Sequence, residues 1–111
     1  MAIIIAVDPS GNHNSEKEGM GTTGIAVYNR GKITLHEIKA SDYANAVTYW
    51  EAIAQFIRKA EYLVVEGYKL YNHAGISAQT QTNSTLMTSQ LIGAMKLEAY
   101  RYGIPIFIQY A

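Results

Sequence analysis

Five short apolar runs along this chain predict five β-strands. The first run is a continuous Ile-Ile-Ile-Ala-Val stretch that ends at Asp8, a pattern typical of a buried central strand. Only an Asn-Arg-Gly turn separates the second run from the third, so we expect these two strands to pair antiparallel. The predicted strands cover residues 3–7, 23–28, 33–39, 62–65 and 104–108.

Apolar residues that recur at spacings of three and four predict a first α-helix between the third and fourth strands. Ser41 or Asp42 is its expected N-cap, and we expect the helix to end near Lys59. Trp50 is expected to anchor the apolar face of this helix to the sheet. That face comprises Val47, Trp50, Ile53, Ala54 and Ile57.

The same spacing predicts a second helix before the fifth strand. Ser84 or Thr85 is its expected N-cap, and Gly103 is expected to close it. Two polar segments, 9–22 and 68–83, lie outside the predicted elements, and loops of this length in a small domain are usually functional or disordered. The inward-facing residues of the second helix are expected to be Leu86, Met87, Leu91, Ala94 and Leu97.

The resulting element order, β-β-β-α-β-α-β, predicts an α/β fold with a five-stranded mixed sheet flanked by helices. An antiparallel meander is followed by two crossover units, so the fourth strand can run parallel to the first. Because no repeat or linker divides the chain, we expect residues 1–111 to form a single domain.

Composition excludes several classes of protein. With 49% hydrophobic and 16% charged residues, this chain of 111 residues is too apolar to be disordered and long enough to bury one core. The absence of Cys excludes disulfide scaffolds, Cys-ligated zinc, iron–sulfur clusters and thiol nucleophiles.

Nine basic residues balance nine acidic ones, so net charge argues neither for nor against a nucleic-acid partner. We expect a cytoplasmic protein with no membrane partner, since the sequence has no signal peptide or membrane span.

Two acidic residues stand out because each follows a buried strand directly. Asp8 ends the first strand and Glu66 ends the fourth, so adjacent parallel strands would bring both carboxylates to one edge of the sheet. Two carboxylates about 5 Å apart repel by about 3 kcal/mol at an effective dielectric constant near 20. Such a pair must share a proton or bind a cation, and Mg²⁺ prefers oxygen ligands of this kind.

Other interpretations of these and nearby residues remain open. An Asp before Pro commonly forms a turn, and a Glu before Gly can be a solvated strand end. Ser10, Thr22 and Thr23 do not complete a phosphate-binding loop or a nucleophile elbow. We expect His13 to be a solvated loop residue and His36 a surface residue.

Five segments follow one another in the predicted elements. They are Ile-Ala-Val-Asp-Pro-Ser at 5–10, Gly-Ile-Ala-Val at 24–27, Tyr-Leu-Val-Val-Glu-Gly-Tyr at 62–68, Ser-Gln-Leu-Ile-Gly-Ala at 89–94 and Gly-Ile-Pro-Ile-Phe-Ile-Gln-Tyr-Ala at 103–111. In this order they resemble the RuvC-type Holliday junction resolvases of the ribonuclease H-like superfamily, including phage-borne forms. The resemblance covers nearly the whole chain.

This resemblance implies a ribonuclease H-like fold and a metal-dependent, structure-selective DNA endonuclease. Such an enzyme resolves four-way or branched junctions by phosphodiester hydrolysis and leaves a 5′-phosphate. The resemblance assigns Asp8 and Glu66 as catalytic residues that bind Mg²⁺ or Mn²⁺ beside the scissile phosphate. It also implies a homodimer, because a four-way junction has two strands to cut symmetrically.

The family uses the segment after the fourth strand to contact DNA. Here that segment mixes aromatic and basic residues, which suit phosphates and unstacked bases. The alternative is that these aromatic residues pack beneath a surface loop. The DNA-binding candidates are Tyr68, Lys69, Tyr71, Asn72 and His73.

The sequence departs from the family at its C-terminal end. Resolvases of this type continue past the fifth strand into a helix that supplies one or two further acidic ligands, whereas this chain ends at Tyr110 and Ala111. We therefore expect a C-terminally truncated nuclease domain. The alternative is a catalytically silent ribonuclease H-like domain that binds branched DNA or a protein partner. Half of an actin-like or sugar-kinase-like ATPase ranks third, because the Gly-Thr-Thr at 21–23 follows a long insert.

Overall fold

The computed structural model of the protein describes residues 2–13, 20–67 and 78–110, with side chains described outside 78–86. These residues form a five-stranded sheet with two long helices packed on one face. None of the described helices combines the length and the hydropathy needed to cross a membrane. The elements are β1 (Ile4–Asp8), β2 (Thr22–Asn29), β3 (Lys32–Lys39), α1 (Ala46–Ile57), β4 (Tyr62–Gly67), α2 (Ala78–Arg101) and β5 (Ile106–Tyr110).

The strand order across the sheet is β3-β2-β1-β4-β5, which places β1 at the centre. β1 is antiparallel to β2 and parallel to β4, and β4 is parallel to β5. Arg30 (φ 54°) and Gly31 (φ 79°) make the tight turn between β2 and β3, and both occupy the left-handed region that such hairpin turns require. The predicted α/β fold with a mixed sheet is confirmed.

One face of the sheet lies beneath the helices, and we call it the helix-covered face. Side chains alternate along a strand, so this face takes Ile5 and Val7 from β1 and Leu63 and Val65 from β4, all at most 3% exposed. The helices contribute Tyr49, Ile53, Ile57, Leu91, Met95 and Ala99 to the same core.

The opposite face of the sheet, which we call the open face, carries exposed apolar residues. Their exposed fractions run from 42% to 80%, although parallel strand pairs usually have both faces covered. The large apolar residues on the open face are Tyr28, Ile33, Leu35, Tyr62 and Phe107.

α1 begins later than the sequence predicted. Its N-cap is Asn45, whose side chain accepts a hydrogen bond from the Thr48 N–H (2.9 Å), while the Thr48 hydroxyl accepts from the Asn45 N–H (3.4 Å). This reciprocal pair is a capping box, and it satisfies two backbone donors at the start of the helix. Ser41 and Asp42 lie in a short 3-10 turn instead, so the predicted cap is wrong.

The buried side of α1 also differs from the prediction. Tyr49, Ile53 and Ile57 are fully buried, whereas Val47 is 70% exposed. Trp50 packs against the core but is only partly buried, and its indole N–H has no hydrogen-bond partner among the described residues. Tyr49 therefore anchors the helix in place of Trp50. The helical spacing of apolar residues fits both the predicted and the observed set, so it could not distinguish them.

α2 begins at Ala78, earlier than the predicted cap at Ser84 or Thr85. The polar stretch 79–83 has no apolar periodicity, so the pattern of apolar residues did not extend the helix through it. Gly103 ends the helix as predicted. It has a φ of 65°, and the next N–H, of Ile104, donates to the Ala99 carbonyl (2.8 Å).

The buried side of α2 consists of Thr88, Leu91, Met95 and Ala99. Leu97, which was predicted to face inward, is 51% exposed, and Ala94 is only partly buried. The observed spacings of three, four and four follow the helical period better than the predicted set does. Leu91 is common to both.

Candidate functional site

A row of polar residues crosses the open face where β1 and β4 end. Asp8 on β1 is opposite Gly24 on β2, and Gly24 is opposite Glu37 on β3. On the other side of Asp8, β4 presents Glu66, which is opposite Gln109 on β5. This polar row therefore has an oxygen-bearing side chain on four of five strands, and the fifth position is glycine.

The next row along the open face is apolar, and its two central members are small. Ala6 is flanked by Ala26 and Val64, with Leu35 and Phe107 on the outer strands. The alanines and the neighbouring glycine leave a groove of about 600 Å³ that members of both rows line. A ligand in this groove would contact carboxylates at one end and an apolar floor at the other.

The carboxyl groups of Asp8 and Glu66 are neighbours at the ends of adjacent parallel strands. Hydrogen bonding with Asp8, followed by the negative charge of Asp8 and by desolvation, raises the pKa of Glu66 above its ordinary value. Glu66 therefore holds its proton more strongly than an isolated Glu does. A bound cation would compensate the negative charge that favours this proton.

The donor chemistry of this pair fits a hard divalent cation. Mg²⁺ typically uses one or two carboxylates, keeps several waters and takes substrate phosphate as a further ligand. Asp8 and Glu66 supply the two carboxylates, and both are exposed to solvent. Within the described part of the chain, no cluster of three or more His, Cys, Asp or Glu side chains forms a complete metal site.

The structure places the sequence-predicted candidates unequally. Asp8 and Glu66 come together at one edge of the sheet, which is the position expected from their strands. The DNA-binding candidates Tyr68, Lys69, Tyr71, Asn72 and His73 lie outside the described residues.

Two further residues of the polar row were not singled out from the sequence. Glu37 lies two residues after Leu35 on β3, so both side chains are on the same face of the sheet. Only the pairing of Glu37 with Gly24 aligns it with Asp8. Gln109 is aligned in the same way by its pairing with Glu66. Strand register was the missing information, because a change of one residue would move either side chain to the other face.

Both histidines of the described residues have ring contacts or hydrogen bonds. His13 is partly buried, and its Nε2 lies 2.8 Å from the Tyr43 carbonyl oxygen, so its expected solvation is wrong. His36 is exposed as predicted, yet its ring packs on Phe56 with 4.9 Å between centroids. Neither belongs to the polar row.

Comparison with known proteins shows likeness in fold. No protein-family model matches this sequence, and no curated protein matches it. Among solved structures, the chain is similar to T. thermophilus RuvC in complex with a Holliday junction substrate, with a TM-score of 0.64 and 14% identity. It is also similar to YeaZ from Pseudomonas aeruginosa, with a TM-score of 0.51 and 11% identity.

The matched region is nearly all of this chain but only part of each neighbour. It covers 99% of this chain in both cases, 65% of the RuvC chain and 43% of the YeaZ chain. At these identities the likeness concerns the fold. A resolvase identity and a phage origin stay predictions, since no sequence match supports them. The fold itself is ribonuclease H-like, as the sequence resemblance implied.

Proposed function

We propose that this protein is a metal-dependent, structure-selective DNA endonuclease that hydrolyses phosphodiesters at four-way or branched junctions. One observation carries the proposal: the carboxylates of Asp8 and Glu66 lie together at the carboxyl ends of adjacent parallel strands in a ribonuclease H-like fold. The structural likeness to RuvC, whose structure holds a Holliday junction substrate, favours branched DNA over other phosphodiesters.

In this proposal Asp8 and Glu66 hold Mg²⁺ or Mn²⁺ through their carboxylate oxygens. Such ions, when bound, lower the pKa of an attacking water and stabilise the leaving oxygen of an in-line displacement. Glu37 and Gln109 flank the pair and can form hydrogen bonds to water molecules in the groove. Substrate phosphate enters from solvent, because the polar row is exposed on the open face.

The proposal includes the predicted DNA contacts of Tyr68, Lys69, Tyr71, Asn72 and His73. Replacing Lys69 with Ala should weaken junction binding and lower the slope of log affinity against log salt by about one unit. Binding measured by fluorescence anisotropy over a salt series checks this expectation. An unchanged slope would mean that Lys69 contacts no phosphate.

A homodimer also belongs to the proposal, because symmetric resolution requires two cuts. Sedimentation of the protein with and without a four-way junction tests it directly. Two chains per junction would support paired cutting, and one chain per junction would contradict it.

Cleavage of labelled DNA tests the proposed activity. A four-way junction, a linear duplex and a flap of matched sequence are each incubated with Mg²⁺, Mn²⁺ or EDTA. We expect metal-dependent cuts in the junction in preference to the other two substrates. Equal cleavage of all three would refute junction selectivity, and cleavage in EDTA would refute the role of the metal.

A second candidate is a catalytically silent domain that binds branched DNA or a protein partner. It is favoured by the absence of a third acidic side chain in contact with Asp8 and Glu66 among the described residues. Junction binding without cleavage in either metal would select this candidate.

A further inference from the structure

A closed ring of three hydrogen bonds holds the backbone two residues after Asp8. The Ser10 N–H donates to Thr23 Oγ1 (3.1 Å), and the Tyr49 hydroxyl donates to the Ser10 carbonyl oxygen (2.6 Å). Thr23 Oγ1 and the Tyr49 hydroxyl oxygen are 2.6 Å apart, so the Thr23 hydroxyl completes the ring as a donor to Tyr49. Thr23 Oγ1 also lies within hydrogen-bond distance of the Ser10 carbonyl oxygen (3.3 Å), and hydrogen bonds linked in this way strengthen one another.

The two side chains of the ring are fully buried, while Ser10 is partly exposed. Thr23 and Tyr49 are both 0% exposed, and burial is the leading cause of the raised pKa of the Tyr49 hydroxyl. The tyrosine therefore stays protonated and remains a donor to Ser10. It links the segment after β1 to α1, since Tyr49 belongs to that helix.

α2 holds the next residue of the same segment. The Gly11 N–H donates to Thr88 Oγ1 (3.1 Å), and both residues are buried. A Cβ atom on Gly11 would lie 2.1 Å from the Met87 carbonyl oxygen, so only glycine allows this close approach. Two helices thus fix Ser10 and Gly11 from the covered side of the sheet.

Asp8 lies at the junction of this fixed segment and β1. Pro9, with its restricted φ, is the only residue between Asp8 and Ser10. Thr23 also restrains Asp8 from the neighbouring strand, because it directly precedes Gly24, the residue opposite Asp8 in β2. The ring therefore restrains the Asp8 backbone along its own chain and across the sheet.

We infer that Thr23 and Tyr49 are positioning residues, which set the orientation of the Asp8 carboxylate through the backbone of Ser10. This inference rests on the proposed function, in which Asp8 must meet a cation with a precision of about 0.5 Å. The ring connects α1 to the backbone beside Asp8 and so restrains the position of Asp8 on the open face. The ring itself contacts neither substrate nor cation.

Matched variants separate positioning from ordinary structural support. Thr23→Val removes the hydroxyl at nearly constant shape, Thr23→Ser keeps it, and Tyr49→Phe removes the second hydroxyl. Thr34→Val and Tyr100→Phe make the same chemical changes at exposed sites and serve as controls. Mn²⁺ affinity is measured for each variant by electron paramagnetic resonance, in buffer where circular dichroism shows a folded protein.

We expect Thr23→Val and Tyr49→Phe to raise the Mn²⁺ dissociation constant by roughly tenfold, as loss of an outer hydrogen bond does at other metal sites. Thr23→Ser should stay close to the unaltered protein, and both controls should match it. Unchanged Mn²⁺ affinity in folded Thr23→Val and Tyr49→Phe would overturn the inference. If Thr23→Val does not fold, Tyr49→Phe carries the test.

A second readout needs no metal. The carboxyl ¹³C chemical shift of Asp8, recorded at one pH, should move in Tyr49→Phe and stay constant in Tyr100→Phe. If the unaltered protein binds no Mn²⁺, the proposed function fails, and this chemical shift still decides whether the ring orients Asp8. An Asp8 shift that is the same in both variants would refute the positioning role.

Discussion

The two faces of the sheet use alternate residues of the same strands for different purposes. On β4, Leu63 and Val65 are fully buried under the helices, while their neighbour Glu66 is exposed beside Asp8. Apart from the buried hydroxyls of Thr23, Tyr49 and Thr88, the helix-covered face is apolar and closely packed, whereas the open face joins a polar row to an apolar groove. Stability and candidate chemistry therefore lie in separate sets of side chains, one residue apart along the chain.

This separation has a physical basis in the pleat of the strand. Successive side chains point to opposite faces, so a strand can contribute to the core at every second position without constraining the residues between. A carboxylate pair would be costly on the covered face, where water is excluded. On the open face, solvent and a bound cation can compensate its charge.

The largest effect should come from the open face. Asp8→Asn and Glu66→Gln should each reduce metal-dependent junction cleavage to the uncatalysed background, because each removes one of the two carboxylate ligands. Both variants should remain folded, since each also removes a like-charge contact. Gel assays of cleavage and circular dichroism check the two expectations. If either variant cuts junctions at the rate of the unaltered protein, the assignment of these residues is wrong.

The second prediction compares how much a large-to-small substitution on each face lowers the free energy of unfolding. Ile53→Ala should lower the free energy of unfolding by about 2–5 kcal/mol, because Ile53 is fully buried and its removal leaves a cavity beneath α1. Leu35→Ala is the matched change on the open face, where Leu35 is 80% exposed, and it should cost no more than about 0.5 kcal/mol. Urea denaturation measures both variants. Equal losses would contradict the division between the two faces.

The smallest effect concerns pH. Hydrogen bonding to Asp8 raises the pKa of Glu66 in the folded state, so the folded protein binds more protons than the unfolded chain in the interval between the two pKa values. The contribution of this pair to the free energy of unfolding is therefore fully present below the pKa of the unfolded chain. It is lost as the pH rises through the pKa of the folded state. Urea midpoints recorded from pH 4 to 8 should show this decline.

Both Glu66→Gln and Asp8→Asn should remove that pH dependence, because it belongs to the pair and not to either residue alone. Glu51→Gln is a suitable control, since Glu51 pairs with Arg58 on the exposed side of α1. A decline that persists in Glu66→Gln would place its origin elsewhere in the molecule.

Much of the fold followed from the pattern of apolar residues, and the reasons are local. The continuous apolar run at 3–7 predicted a central strand that ends at Asp8, and β1 is central, although its side chains on the open face are only partly buried. The hairpin turn at Arg30 and Gly31 fixed the direction of β3. The helix before β4 allowed β4 to run parallel to β1, and the observed pairing of these strands brings Asp8 and Glu66 together.

The helices were harder to predict because their signals were ambiguous. Tyr49 and Trp50 are both large and aromatic, and only packing against the sheet selects Tyr49 for the core. The N-cap role of Asn45 depends on its reciprocal bonds with Thr48, which compete with equally plausible caps at Ser41 and Asp42.

The remaining parts of the site depend on register and on buried hydroxyls. Glu37 joins the polar row only because β3 pairs with β2 at Gly24. Thr23 completes no phosphate-binding or nucleophile motif in the sequence, and its partner in the ring lies 26 positions away. Contacts of this length have no signature in a single sequence.

The central claim is that Asp8 and Glu66 form a divalent-cation site on the open face, and a Mg²⁺ titration followed by ¹H–¹⁵N NMR tests it most directly. We predict saturable shifts of the Gly24 and Glu66 amides, with the Ile53 amide on the covered side unaffected, and loss of these shifts in Asp8→Asn. Shifts that persist in Asp8→Asn, or an unaltered protein whose Gly24 and Glu66 signals never move with Mg²⁺, would contradict the claim.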